Sequence, residues 1–147
     1  MIRAATPADL PELVAMVQAL AAHHGDTSQI SEDALARDLF APKPWLQALV
    51  AEGPKHLIGY AALTQLARLQ YGQRGLDIHH LFVLPDQRGA GVGKALIAAI
   101  LDHARAQGCS YIIVSALEGN LPARAFYAAQ GFQDAPVKGL RFAKVIA

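Results

Sequence analysis

Cysteine is nearly absent from this 147-residue chain. Cys109 stands alone, so no internal disulfide can form. Its place after a helix-ending Gly108, at the head of an apolar run, reads as a buried, inert thiol rather than a nucleophile. Excess charge is missing as well. Lys and Arg number 13 against 12 Asp and Glu, a formal net charge of +1, with no basic run and no aromatics interleaved among cations. Such a chain offers little to the phosphates of a nucleic acid, and none is expected as a partner. No apolar run is long enough to span a bilayer, and the start Met1-Ile2-Arg3 lacks the apolar stretch of a signal peptide, so the expectation is a cytoplasmic chain without a membrane partner. Repeats, low-complexity tracts and linker-like segments are absent too. What is abundant is apolar: 53% of the residues are hydrophobic, enough to fill the core of one domain spanning residues 1–147.

Helical and strand periods alternate along the chain, the pattern of a mixed α/β domain. Ile2 to Ala4 suits a short strand. Thr6-Pro7-Ala8-Asp9 starts a helix whose Leu10, Leu13, Val14, Val17 and Ala21 face inward and which Gly25 ends. Ser31-Glu32-Asp33 opens a second helix that runs to about Phe40, ahead of Pro42 and Pro44. Two strands follow, Trp45 to Glu52 and Leu57 to Leu66, joined at Gly53-Pro54 as in a hairpin. A central strand is expected from Gly75 to Leu84, and a long helix from Val92 to Gln107 with Val92, Leu96, Ile97, Ile100, Leu101 and Ala104 in its buried arc. A fully buried strand from Tyr111 to Ala116, a short helix from Leu121 to Gln130 and a closing strand from Leu140 to Ile146 complete the reading.

The chemistry gathers where the central strand meets the long helix, in Pro85-Asp86-Gln87-Arg88-Gly89-Ala90-Gly91-Val92-Gly93-Lys94-Ala95-Leu96. The first turn of a helix carries four backbone N–H groups without intrahelical partners and the positive end of the helix dipole. Glycines let a phosphate come close, and Arg88 and Lys94 flank the turn, so a nucleotide or coenzyme A is the natural guest. Spacing separates the known phosphate loops. An ATP-type loop needs Gly where Arg88 stands and Ser or Thr where Ala95 stands; a dinucleotide fingerprint needs its third Gly at Lys94. What fits is Arg-x-x-Gly-x-Gly at Arg88, Gly91 and Gly93, and this resembles the pyrophosphate-binding motif of the GNAT superfamily of acyl-CoA N-acyltransferases. A plain helix cap would need one good residue here, not three glycines between two cations.

A second motif lies further on, in Asn120-Leu121-Pro122-Ala123-Arg124-Ala125-Phe126-Tyr127-Ala128-Ala129-Gln130-Gly131-Phe132. It resembles the superfamily's other signature, Asn-x-x-Ala-x-x-Phe-Tyr-x-x-x-Gly-Phe, at every fixed position. Local physics agrees: Asn120 caps, Pro122 sits in the first turn, and Gly131 suits the left-handed residue after the last turn. Phe126 reads as packing. The phenol of Tyr127 needs a partner if buried, which favours a chemical role.

The resemblance covers nearly the whole order of elements and implies the GNAT fold: α/β, with a central, mixed, mostly antiparallel sheet that has a splayed parallel pair and is flanked by helices. It implies acetyl-CoA as co-substrate and no metal. Backbone groups of Leu81, Phe82 and Val83 would bond the pantetheine amides in the splay, and N–H groups of Arg88, Gly89, Ala90, Gly91, Val92, Gly93 and Lys94 would hold the pyrophosphate. Asn120 would meet the pantetheine arm or the departing thiol, and Arg124 either approaches the nucleotide phosphates or is an exposed helix arginine. The reaction implied is direct attack of a neutral amine on the acetyl thioester through a tetrahedral oxyanion. A backbone N–H of Leu81 or Phe82 would polarise the carbonyl, and Tyr127 resembles the family's acid for the leaving thiolate.

For the base, the central strand offers Asp77, where histone acetyltransferases of the superfamily carry a catalytic Glu, and His79, where spermidine/spermine acetyltransferases carry theirs. By strand alternation Asp77, His79 and Leu81 share one face, and His80 and Phe82 take the other. Imidazoles titrate ordinarily near ~6.5 and can accept a proton near neutral pH, but each histidine is equally readable as a structural group bonded in the sheet. Opposite directions and the lack of a third ligand leave no metal site at His79 and His80. Glu32-Asp33-Ala34-Leu35 with Leu39-Phe40, Pro44-Trp45, Leu49-Val50-Ala51-Glu52 and Glu118 resemble the diamine acetyltransferases, whereas His79-His80 replaces an acidic pair of theirs. Asp26, Glu32 and Asp33 suit an amine pocket or helix caps equally. The acceptor implied is a small-molecule primary amine: a diamine, an amino acid or a related amine. The same architecture also serves non-catalytic acyl-CoA sensors and acetyltransferases for protein or aminoacyl-tRNA amines. By analogy with relatives a homodimer is expected, with the closing strand near the contact.

Overall fold

Five strands, β1 (Ile2–Ala4), β2 (Gln47–Glu52), β3 (Leu57–Arg68), β4 (Gln73–Val83) and β5 (Cys109–Val114), pair in the order β1-β2-β3-β4-β5. Each pair from β1 to β4 is antiparallel, and β4 and β5 run parallel. The computed structural model describes residues 1–147 in two compact units, Met1–Ser115, which holds this sheet, and Ala116–Ala147.

Helices cover both faces of the sheet. The first chain reversal is fixed by Asp9, whose buried carboxylate accepts from the Thr6 N–H at 2.7 Å and from both terminal nitrogens of Arg3 at 2.7 and 2.9 Å. A 3-10 turn (Pro7–Asp9) leads into α1 (Leu10–His23), and Ser31 caps α2 (Glu32–Phe40) by accepting from the Ala34 N–H. Leu13, Met16 and Leu20 of α1 and Leu35 of α2 bury themselves against Val50, Tyr60, Ala62 and Phe82. On the other face lies α3 (Val92–Ala106), whose Leu96, Ile97, Ile100 and Ala104 are buried with Leu63, Leu76 and Ile78 of the sheet. No helix is long and apolar enough to cross a membrane.

Several boundaries differ from the sequence reading for identifiable reasons. Trp45 and Leu46 stay out of β2 because both of their N–H groups donate to the Asp38 carbonyl, finishing α2 instead of a ladder. The β3–β4 ladder runs on to Arg68 and Gln73, beyond the expected ends. The fifth strand is Cys109–Val114, not Tyr111 to Ala116, and it is an edge strand with Ser110 and Ile113 exposed rather than a fully buried one.

In Ala116–Ala147 there is one helix, α4 (Leu121–Ala129). Asn120 caps it through a 3.2 Å bond from the Ala123 N–H. Gly131 at φ +88° reverses the chain so that the Phe132 N–H donates to the Tyr127 carbonyl at 3.0 Å. The expected closing strand from Leu140 to Ile146 is not formed: residues 133–147 are irregular, and Leu140, Phe142, Val145 and Ile146 are between 86% and 91% exposed. Apolar residues at strand spacing mark a segment fit for a ladder, but a strand exists only with a partner, and these residues pair with none.

Candidate active site

The parallel pair of the sheet is incomplete. β5 meets β4 from Arg74↔Cys109 to Ile78↔Val114 and stops, while β4 continues to Val83. From His79 onward β4 is therefore laddered on its β3 side alone. The Leu84 N–H donates to Ile58 of β3, so by antiparallel alternation the backbone of Phe82 turns toward β3 and that of Leu81 and Val83 toward the open edge. Consistently, the Val83 carbonyl accepts from Arg88 Nε at 2.9 Å. Phe82 itself is buried in the α1 and α2 core.

Beyond this edge the chain makes a 3-10 turn (Pro85–Gln87), extends at Arg88, and passes through Gly89 at φ +82° and Gly91 at φ +87° into α3. Gly91 is the residue before the helix, and its carbonyl accepts from the Ala95 N–H. The amides of Val92, Gly93 and Lys94 thus form a first turn with no intrahelical acceptor. An ideal Cβ at Gly89 or Gly91 would have nothing within 4 Å, so glycine is needed for its left-handed backbone and the ground before the amides is clear of protein. The side chains of Arg88 and Lys94 are exposed beside it. An open ladder edge next to an uncapped helix start fits a ligand that carries both amides and a pyrophosphate, as coenzyme A does.

β4 does not keep strict alternation. Ala62 of β3 opposes His80 and Leu63 opposes Ile78, which leaves His79 as an extra residue in a β-bulge. This overturns the expected face assignment. Asp77, His80 and Phe82 share the face of Thr64, Ala62 and Tyr60, and the rings of His79 and His80 stack at 4.5 Å and 10°, instead of pointing to opposite sides. His80 Nδ1 lies 2.9 Å from the hydroxyl of Tyr60, which is 2% exposed. Burial pushes the Tyr60 phenol up and drives His80 down to about 4, with the charges of His79 and His24 as further causes. His80 is therefore neutral at physiological pH, and His79 is the exposed member of the pair. On the same sheet face a shallow cavity of about 530 Å³ is lined by Arg37, Asp38, Trp45, Leu46 and Thr64, and Thr64 is the register partner of Asp77.

Tyr127 on α4 is half-buried, with its ring edge-on to Phe126 and Phe132 at 5.2 and 5.6 Å. Burial raises its phenol above the ordinary value, so it is protonated at neutral pH. Asn120 spends its side-chain oxygen on the helix cap, and Arg124 is exposed. No three His, Cys, Asp or Glu side chains come together as metal ligands. The sequence does not point to Tyr60 or Arg37, and it offers Trp45 only as a point of resemblance; the reading of His80 as an imidazole bonded in the sheet is the one the structure bears out, through Tyr60 of β3. Tyr60 sits in an unbroken apolar strand, and no pattern along the chain announces the bulge that brings His80 to it.

Comparison with known proteins agrees with this geometry. The model of the acetyltransferase (GNAT) family matches residues 13–132. The thialysine N-epsilon-acetyltransferase of Bos taurus is 31% identical over 145 residues, covering 91% of this chain and 84% of the relative. An L-methionine sulfoximine/L-methionine sulfone acetyltransferase of Pseudomonas paraeruginosa is 29% identical over 154 residues, covering 97% and 87%. Among solved structures, an aminoglycoside acetyltransferase from an uncultured soil metagenomic sample, in complex with sisomicin, superposes with a TM-score of 0.81 at 19% identity, over 98% of this chain and 96% of that one. The chain belongs to the acetyltransferase (GNAT) family and is an N-acetyltransferase for the amine of a small molecule, with acetyl-CoA as the family's co-substrate.

Proposed function

We propose that the acceptor is a small amino-acid-like molecule with a primary amine, and that residues 1–147 act as one catalytic domain. The reading is carried by the open edge of β4 beside the glycine-turned start of α3, which together offer what an acyl-CoA thioester requires. The amides from Gly89 to Lys94, with Arg88 and Lys94, hold the pyrophosphate, and the open-edge backbone of Leu81 and Val83 bonds the pantetheine amides. The relatives named for thialysine and for methionine sulfoximine both act on amino acids, and the cavity by Asp77 offers such a molecule the Arg37–Asp38 ion pair and the Trp45 indole.

In this reading the ammonium of the acceptor gives its proton to His79, directly or through water, with Asp77 orienting it or substituting for it. The neutral amine attacks the thioester carbonyl, whose developing oxyanion accepts from the Leu81 N–H. The C–S bond then breaks, Tyr127 protonates the leaving thiolate, and the second proton of the acylated nitrogen passes through water to the Tyr127 phenolate as the intermediate collapses to the amide. Asn120 and Arg124 complete the contacts with the pantetheine arm and the nucleotide phosphates. The protein works in the cytoplasm, as a homodimer.

The test is thiol release from acetyl-CoA in the presence of thialysine, methionine sulfoximine, spermidine or an aminoglycoside. Turnover of the amino acids above the other amines is expected. Binding of acetyl-CoA without thiol release for any amine would place the chain among acyl-CoA sensors instead. For the base, kcat/KM for thialysine should fall at low pH, and His79→Ala should lose or displace that limb. Retention of the wild-type profile by both His79→Ala and Asp77→Asn would remove these two residues from proton transfer.

A further inference from the structure

A bulge is a place where a sheet re-aims a side chain, and this one leaves two imidazoles stacked with only one of them tied down. The tie is Tyr60. Its ring packs in the core against Phe82 at 6.1 Å, its hydroxyl reaches His80 Nδ1 at 2.9 Å, and it is 2% exposed, so it has little freedom to move. His80 in turn presents its ring face to His79 at 4.5 Å, nearly parallel. We propose that Tyr60 and His80 are positioning residues for His79, the buried hydroxyl fixing the His80 ring and that ring serving as the platform on which the His79 imidazolium is held as it forms. The proposal rests on the reading of His79 as proton acceptor.

The physical reason is the asymmetry of the pair. An imidazolium is attracted to the face of a neutral aromatic ring and repelled by a second imidazolium. A platform that stays neutral therefore favours proton uptake at its exposed neighbour, and one that also charged would oppose it. Burial beside Tyr60 keeps the His80 ring neutral at physiological pH. The other groups that bear on the stack are His24, at the end of α1, and Asp77, on the same face of β4.

The test follows the His79 ring resonances by NMR through a pH titration of the full chain, in the wild type and three variants. His80→Ala removes the platform and should move the midpoint to lower pH by about half a unit, the size of an exposed cation–π contact. His80→Phe keeps an aromatic face and should restore the wild-type midpoint. Tyr60→Phe keeps the core packing and should shift the midpoint in the same direction as His80→Ala, by less. The acid limb of kcat/KM for thialysine should move with these midpoints. An unchanged midpoint in His80→Ala overturns the proposal, and so does an equal shift in His80→Phe. Failure of the base reading is distinguishable: His79→Ala would keep the wild-type pH profile, whatever the resonances show. Should His80→Ala not fold, the comparison of His80→Phe with Tyr60→Phe decides, because only the second releases the platform.

Discussion

Tyr127 illustrates how a single side chain divides packing from chemistry. Its ring fills space between Phe126 and Phe132, and its phenol, raised by burial, carries a proton across the neutral range. Phenylalanine preserves the first property and deletes the second. Tyr127→Phe should therefore lower kcat by ~10²-fold or more while acetyl-CoA binding, followed by calorimetry, stays close to wild type. A loss of binding equal to the loss of rate would assign the hydroxyl to the ground state. The helix that carries Tyr127 was legible in the sequence because its motif is local, a helix cap, an aromatic pair and a helix-ending glycine in fixed order. The partnership of Tyr60 and His80 was not, because it depends on which residue of β4 is extruded, and the period of two that separates faces is blind to one inserted residue. The same insertion moved His80 to the face of Asp77 and set His79 against it.

Among the elements, two junctions have measurable consequences. The first is the start of α1, where Asp9 joins Arg3 of β1 to the Thr6 turn while Arg3 also pairs with Glu52 of β2. Hydrogen bonding to Arg3 holds the Asp9 carboxyl at about 2 against an ordinary value of 3.8. A depressed carboxylate contributes stability that is present above its ordinary value and lost as pH falls from there toward 2. Asp9→Asn should therefore be less stable than wild type by about 2 kcal/mol at neutral pH in urea unfolding, and the difference should shrink as the pH is lowered from 4 toward 2. A difference that does not change with pH would mean that packing, not charge, is what the substitution removes. The second junction is the turn into α3. Since a side chain at Gly91 meets clear space but an unfavourable backbone, Gly91→Ala should cost about 1–2 kcal/mol of stability and leave the amides in place. Gly91→Glu adds an anion before those amides and should abolish acetyl-CoA binding in a folded protein. Equal binding by that variant would remove the phosphate-loop reading. Elements with internal punctuation were legible to within a residue or two, as with α2 between Ser31 and Pro42. Those whose limits depend on neighbours were not. Gly75 reads as a strand boundary, yet it lies inside β4 because the Tyr111 ring of β5 covers it, 2.4 Å from where a Cβ would stand.

At the scale of the whole molecule, the conspicuous property is apolar surface. Val137, Leu140, Phe142, Val145 and Ile146 are each at least 86% exposed within ten residues of one another, in a segment that makes no hydrogen-bonded ladder of its own. Single exposed apolar residues are ordinary, but five within ten residues suit a surface that a partner covers. Lys138, Arg141 and Lys144 interrupt the set, and its unbonded amides and carbonyls are free to pair with another strand. A second copy of the chain supplies the same segment by symmetry, so the two can cover each other across a twofold axis. The full chain should accordingly sediment as a dimer at micromolar concentration, and Leu140→Lys combined with Phe142→Lys should convert it to a monomer with unchanged circular dichroism. A wild-type chain that sediments as a monomer at that concentration would overturn the dimer.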